Sequence, residues 1–297
     1  MSEPDSGEEA SGSELEPAEV FSLLGDDVRI EIIMVLDDAV EERVAFSELH
    51  DRVGLDDSGQ FNYHLSKLVG HFVSKSDAGY QLTAAGDRLA RAIAAGLYTD
   101  SPELEPFDVD GTCRECTQET LQASYADERF TITCRECDHQ LLRVSAPPSL
   151  VRGRNPTEAL DAFEEWSFSQ VEQAYNDICP SCGGPVTRGI TSETPPGLSF
   201  DVLPEMTCEV CSRRVVTSFA AIARRDSTVE GFHDREFPTI RQKHYWELDE
   251  NVSEKSLELL SESPFRMQVT FSAGDRTCDA VIDEHLDILE ATVHNGP

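Results

Sequence analysis

Lysine is scarce in this chain: it occupies only positions 67, 75, 243 and 255, against 57 Asp and Glu. No apolar run approaches the roughly 18 residues that cross a bilayer. The stretch Met1 to Pro17 is acidic and rich in Ser, Gly and Glu, the opposite of a cationic secretory signal. These absences argue against a membrane protein and for a cytoplasmic one, where nine cysteines point to metal before disulfides. Also missing are a phosphate loop, a nucleophile elbow, a His-Glu-x2-His pair and a Gly-rich dinucleotide turn, so nothing marks an enzyme. The histidines His64, His71, His139, His233 and His244 stand in unlike contexts with no carboxylate pattern around them.

The formal charge of −33 is spread along the whole length. Self-repulsion on that scale opposes compaction, a balance that halophilic proteins exploit. In molar salt the Debye length falls to about 3 Å, which screens most of it. The composition is therefore read as adaptation to a salt-rich cytoplasm.

The pattern predicts an α+β protein of several parts. Residues 1–17 read as a disordered acidic arm, and 18–98 as a winged helix-turn-helix. Val20, Leu23 and Leu24 have helical spacing, and Asp26 caps a run carrying Ile32, Ile33 and Leu36. Ser47 is the expected N-cap of a helix that Gly54 closes. Asp57 and Ser58 open the next, with Phe61, Leu65 and Leu68 inward. Phe72-Val73 and Tyr80 to Leu82 read as a β-hairpin, and Thr83 starts a last helix that runs past Leu89 and Ile93 to Leu97. Residues 99–110 read as a linker. Two zinc ribbons, 111–146 and 179–215, are then joined by a helix within 150–178 whose apolar side holds Ala159, Leu160, Phe163, Trp166 and Val171. Residues 216–295 read as a small α+β unit: a helix at 253–260, then an antiparallel β-meander. In that meander Phe265, Met267, Val269 and Phe271 share one face, as do Cys278, Ala280 and Ile282.

The cysteines carry the strongest signal. Cys113-x2-Cys116 precedes Cys134-x2-Cys137 by 17 residues, and Cys179-x2-Cys182 precedes Cys208-x2-Cys211 by 25. Two such turns on neighbouring hairpins close a tetrahedral site, and Phe130–Thr133 and Ser199–Val202 are the expected intervening strands. Four thiolates leave no open position for water, so the sites are read as two structural Zn2+ ions, each contributing on the order of 10 kcal/mol to folding. Redox use of the pairs, and cross-pairing between modules, are the alternatives. Cys278 is left over as a small core hydrophobe or, alternatively, a redox sensor.

In a winged helix the third main helix enters the major groove. Here its outward residues are Ser58, Gln60, Asn62, Tyr63, Ser66 and Lys67, with His64 between faces, either packing or contacting, and Lys75 on the wing. Gln and Asn pair well with adenine, and Ser serves most bases. The surface is scarcely basic, but counterion release is worth little in molar salt. Arg114 and Arg135, inside the cysteine turns, are read as solvated loop charges or phosphate contacts.

Phe21-Ser-Leu-Leu-Gly-Asp-Asp-Val-Arg-Ile-Glu-Ile-Ile33, Phe46-Ser-Glu-Leu49 and Gly59-Gln-Phe-Asn-Tyr-His-Leu-Ser-Lys-Leu68 resemble haloarchaeal winged-helix regulators of the ArsR-like superfamily. The later Cys-x2-Cys pairs, Tyr245-Trp-Glu-Leu248 and Ser261-Glu-Ser-Pro-Phe-Arg266 are similar to the C-terminal part of the same group. The resemblance implies a homodimer, built on the first and last helices of the winged domain and binding a palindromic operator in double-stranded DNA. Metal-sensing members carry Cys-x-Cys near the helix before the recognition helix. This chain has Leu49-His-Asp-Arg-Val53 there, which argues against metal sensing at that place. The alternative is a general transcription or adaptor factor whose winged helix and ribbons hold RNA polymerase or a regulatory protein.

Overall fold

Asp26, Asp57 and Thr83 stand where three helices begin, and each side chain takes up an orphan backbone N–H of the first turn. In the computed structural model, which describes residues 16–39, 43–193, 202–237, 243–248 and 256–295, two units separate between Asp100 and Ser101. The expected acidic arm lies, through residue 15, outside the described residues; Pro17 already belongs to a helix.

The first unit runs α1 (Pro17–Leu24), α2 (Asp27–Asp38), α3 (Phe46–Val53), α4 (Ser58–Leu68), β1 (Val73–Ser76), β2 (Gly79–Leu82) and α5 (Ala84–Ala94). Asp57 accepts from the N–H of Gly59 at 2.7 Å and of Gln60 at 3.2 Å to start α4. The N-cap of α3 is Ala45, not the expected Ser47, and α5 ends at Ala94, short of Leu97. Ile32, Ile33, Leu49, Phe61, Leu65, Leu68 and Val73 are fully buried in one core. β1 and β2 form an antiparallel hairpin, and Val44 exchanges two backbone bonds with Tyr80 to add a third rung. Gly79 is needed there: its φ is +124° and a Cβ would lie 2.5 Å from the carbonyl oxygen of Val44. Four packed helices, a hairpin and a closing helix make a winged-helix-like unit.

The second unit opens with a sheet of β3 (Leu104–Val109), β4 (Leu121–Ala126), β5 (Arg129–Cys134) and β6 (Gln140–Ser145), in that spatial order and antiparallel. The linker expected at 99–110 is thus corrected over 104–109, which pair with β4. α6 (Pro156–Tyr175) follows, capped by Asn155 and Glu158 in a reciprocal box. Next come β7 (Val186–Thr191), β8 (Leu203–Cys208) and β9 (Arg214–Val216), a three-stranded sheet. The strand expected at 199–202 falls largely outside the described residues. Two short helices, α7 (Phe219–Ala223) and α8 (Ser227–Glu236), lead to α9 (Tyr245–Leu248) and a four-stranded meander: β10 (Leu257–Glu262), β11 (Phe265–Ala273), β12 (Arg276–Asp283) and β13 (Ile288–His294).

Two cores share this unit. Ala159, Leu160 and Phe163 at the start of α6 pack with Phe130 and Ile132 of the first sheet and with Trp246 of α9. Ala174 at its end packs with Met206, Phe219, Ile222, Val269, Phe271 and Cys278. The second ribbon and the C-terminal meander, expected as separate units, therefore bury one core together. The helix expected at 253–260 is corrected as well: 257–260 belong to β10, Leu257 facing Val269 on β11, and 253–255 lie outside the described residues.

Candidate metal centres and nucleic-acid interface

All four Cys-x2-Cys turns fold alike. The N–H one position past the second cysteine returns to the carbonyl of the first: Thr117 to Cys113 at 2.8 Å, Asp138 to Cys134 at 3.0 Å, Gly183 to Cys179 at 2.8 Å and Ser212 to Cys208 at 3.1 Å. The leading cysteine's N–H donates one residue further on, to the carbonyls of Gln118, His139, Gly184 and Arg213, each at 2.9 Å. His139 serves through its carbonyl. Thr117, Asp138, Gly183 and Ser212 consequently sit at φ of 59°, 57°, 74° and 57°, the left-handed region. Such a turn aims both thiols to one side, and the antiparallel strands bring two turns together.

The pairing is within modules. Cys113 and Cys137 Sγ are 3.6 Å apart and Cys116 and Cys134 Sγ 3.5 Å; in the second set Cys179–Cys211 is 3.6 Å and Cys182–Cys208 3.5 Å. Within each set the four sulfurs lie within 4.8 Å of one another. A disulfide would need about 2.0 Å, whereas a tetrahedral zinc with Zn–S near 2.3 Å spaces its sulfurs about 3.8 Å apart. The residues therefore fit two four-thiolate Zn2+ sites and not cross-paired ones.

The surroundings favour thiolate at Cys134 and Cys179. Burial opposes ionisation of Cys134, yet the Thr120 hydroxyl at 3.3 Å and the N–H groups of Cys137 and Glu136 outweigh it and bring the thiol down to about 6. Burial is likewise outweighed at Cys179, down to about 6, by the N–H groups of Cys182 and Ser181. Cys182 gains from the Gly184 N–H but is pushed up to about 12 by the sulfurs of Cys211 and Cys208. A dication removes that mutual opposition. Thr120 was not legible in advance; it precedes Cys134 by 14 residues and reaches it only through the β4–β5 pairing.

The ninth cysteine is elsewhere. Cys278 is fully buried opposite Phe271, and burial together with Asp279 and Asp226 pushes its thiol up to about 11. It is protonated and enclosed at neutral pH, which fits a core residue and not a redox sensor.

On α4, Ser58, Gln60, Asn62, Tyr63, Ser66 and Lys67 are exposed, as is Lys75 on β1. The Tyr63 ring is 58% exposed, with Lys67 Nζ 5.7 Å from its centre. Ser66 donates to the Tyr63 carbonyl at 2.8 Å, an in-helix bond that leaves its acceptor lone pairs outward. His64 is the correction: it is only 7% exposed, and its Nδ1 lies 3.2 Å from the Asp26 carboxylate that caps α2. His64 packs between α4 and the entry of α2 and does not belong to the open face of the helix. Arg135 faces Asp108 at 3.6 Å across an exposed edge.

A family described as Domain of unknown function (DUF7351) matches residues 110–288, and one described as Domain of unknown function (DUF7347) matches residues 17–93. The two matches fall one on each unit. No curated protein and no solved structure matches the chain. Among the described residues, no helix is long and apolar enough to cross a membrane.

Proposed function

The chain belongs to the DUF7351 family of domains of unknown function, and we propose that it is a transcription regulator that reads double-stranded DNA through its winged-helix-like unit. It acts by binding and not by catalysis. The observation that carries this reading is the open face of α4: Gln60, Asn62 and Tyr63 project polar groups from a capped helix whose opposite face is buried, and Lys75 stands on the hairpin after it. Amide side chains on such a helix suit adenine edges, and the exposed phenol suits a sugar or phosphate. The poverty in lysine is tolerable where salt already suppresses the phosphate contribution.

The binding form is a homodimer. Phe21 on α1 and Tyr98 just past α5 are 73% and 77% exposed, and Leu97 beside it is 39% exposed. Large apolar groups open at both ends of one small unit suit a second copy. A two-fold dimer would set its two α4 helices on half-sites about one helical turn, roughly 34 Å, apart.

The test is enrichment of genomic fragments on the zinc-loaded chain in molar KCl, with a Gln60→Ala/Asn62→Ala/Tyr63→Ala variant alongside. A palindromic motif that the variant fails to enrich is the expected result. A folded, two-zinc protein that enriches no motif overturns the reading, and retention of RNA polymerase by that same protein would favour the adaptor role instead.

A further inference from the structure

A groove of about 760 Å³ runs through the second unit, walled by β6, by α6 from Trp166 to Glu172, by β9 and by the end of α7. Its charge runs against that of the whole chain. Six of the 24 basic residues line it: Arg114, Arg143, Arg213, Arg214, Arg224 and Arg225. Only Glu172 and Glu230 oppose them among the lining residues. Glu172 is engaged by Arg225, and Arg214 is held by Glu205 and Glu193. The Nε of Arg213 is buried with no hydrogen-bond acceptor among the described residues. A buried guanidinium donor left without an acceptor is costly, so the groove favours an incoming oxygen.

The walls have a second property. Every residue from Gln140 to Ser145 and from Arg213 to Ser218 lines the groove. Successive side chains of a strand point to opposite faces, so a wall that takes all of them is a strand edge and not a sheet face. β6 and β9 are indeed the outer strands of their sheets. An outer strand presents alternate backbone N–H and C=O groups to whatever lies beside it. Between the two edges lie Trp166, half-buried, and Phe168, 44% exposed.

We infer that this groove docks an extended acidic peptide of a partner protein, which adds a strand to β6 and places its carboxylates on Arg143 and Arg213. The six residues of β6 offer an edge roughly 20 Å long, and strand addition supplies affinity through the main chain and selectivity through alternate side chains. One face of the added strand would meet Trp166 and Phe168, so its apolar residues are expected at every second position. An ion pair formed on the half-buried Arg213 is screened less by salt than an exposed one, which lets charge select the partner in concentrated salt. A single-stranded nucleic acid could use the same arginines and stack on the aromatic rings, but it has no use for two strand edges. The inference does not depend on the DNA reading, since α4 takes no part in it.

The experiment is selection of a displayed random dodecapeptide library on the full-length, zinc-loaded chain in molar KCl, followed by titration of the enriched peptides. Enriched peptides should carry an excess of Asp and Glu with apolar residues at alternate positions. Arg143→Glu, an exposed substitution, should weaken them several-fold, and Arg143→Glu/Arg213→Glu by roughly tenfold or more, with two zincs per chain retained as the sign of an intact fold. N-methylation along the peptide should abolish binding at every second amide only, the mark of strand addition. The inference is overturned by any of four outcomes: no enrichment, no acidic bias, affinity indifferent to the arginine variants, or N-methylation tolerated throughout. Displacement of the peptides by a single-stranded oligonucleotide that itself depends on Arg143 would assign the groove to nucleic acid.

Discussion

At the four zinc turns one backbone position is filled by four different residues, Thr117, Asp138, Gly183 and Ser212, all left-handed. For a residue with a Cβ that conformation costs roughly 1–2 kcal/mol, and most for a β-branched one such as Thr117. Glycine avoids the clash but orders a freer unfolded chain, which takes back about half of the gain. The Thr117 hydroxyl also donates to the Cys116 carbonyl at 2.7 Å, an exposed bond of small net value. Thr117→Gly should therefore stabilise the zinc-loaded protein by about 0.5–1 kcal/mol, and Gly183→Thr should destabilise it by about 1–2 kcal/mol. Urea midpoints of the two variants, at fixed free zinc, decide the point; shifts of the same sign would mean that the turns are not strained alike. The cysteine spacing announced the turns, whereas their left-handed fifth residue is invisible in the sequence because only one of the four is glycine.

At the scale of elements, legibility followed side-chain periodicity and failed where pairing partners decide. β11 and β12 alternate apolar and polar residues, and the alternation puts Met267, Val269, Phe271, Cys278, Ala280 and Ile282 in one core, as read. α4 announced itself through Asp57 and the Phe61, Leu65, Leu68 stripe. β10 did not: its Leu and Glu residues are good helix formers, and only the partner β11 makes them a strand. β3 was hidden by Pro106 and its acids, features that an outer strand tolerates. The groove arginines were illegible for a related reason, since they converge from four separate places, the first cysteine turn, β6, the start of β9 and the end of α7.

One element carries a pH dependence. His233 on α8 is 6% exposed, its ring 4.6 Å from that of Phe271. Burial, and then the charge of Arg224, bring its pKa down to about 4, against some opposition from Asp234. Above pH 6.5 the ring is neutral in both states and contributes no linkage. As pH falls below 6.5 the unfolded chain takes up a proton that the folded chain refuses until about pH 4, so stability declines across that window, by on the order of 3 kcal/mol at its foot. Protonation of zinc-bound thiolates also weakens the fold in acid, but it acts on wild type and variant alike. His233→Phe, which keeps the aromatic packing, should show a shallower loss of stability between pH 6.5 and 4 than the wild type. Parallel urea-midpoint curves for the two proteins would refute the assignment.

For the whole molecule, metal dependence should divide at Asp100. The first unit has its own apolar core and no cysteine among its residues, so its stability rests on Ile32, Phe61, Leu65 and their neighbours. The second unit has no such independence. Cys113 and Cys134 sit in the core that includes Phe130 and Trp246, and Cys179 and Cys208 in the core that includes Phe271 and Cys278. Thiols released from zinc would be polar groups left inside those cores, and the ribbon sheets are too small to hold together without the metal. Because the second ribbon and the meander bury one core between them, removal of zinc should carry the meander with it. Cys278 reports this directly: it belongs to neither four-cysteine cluster, it is fully buried, and its thiol is held up at about 11. In the zinc-loaded protein an alkylating reagent should leave Cys278 unmodified, and after a strong chelator all nine cysteines should react, while limited proteolysis still returns an intact fragment covering residues 16 to 100. If chelation frees eight thiols and leaves Cys278 protected, the meander folds without zinc and the shared core is not what holds it. If the N-terminal fragment is lost as well, the first unit depends on the second for its stability and its core alone is insufficient.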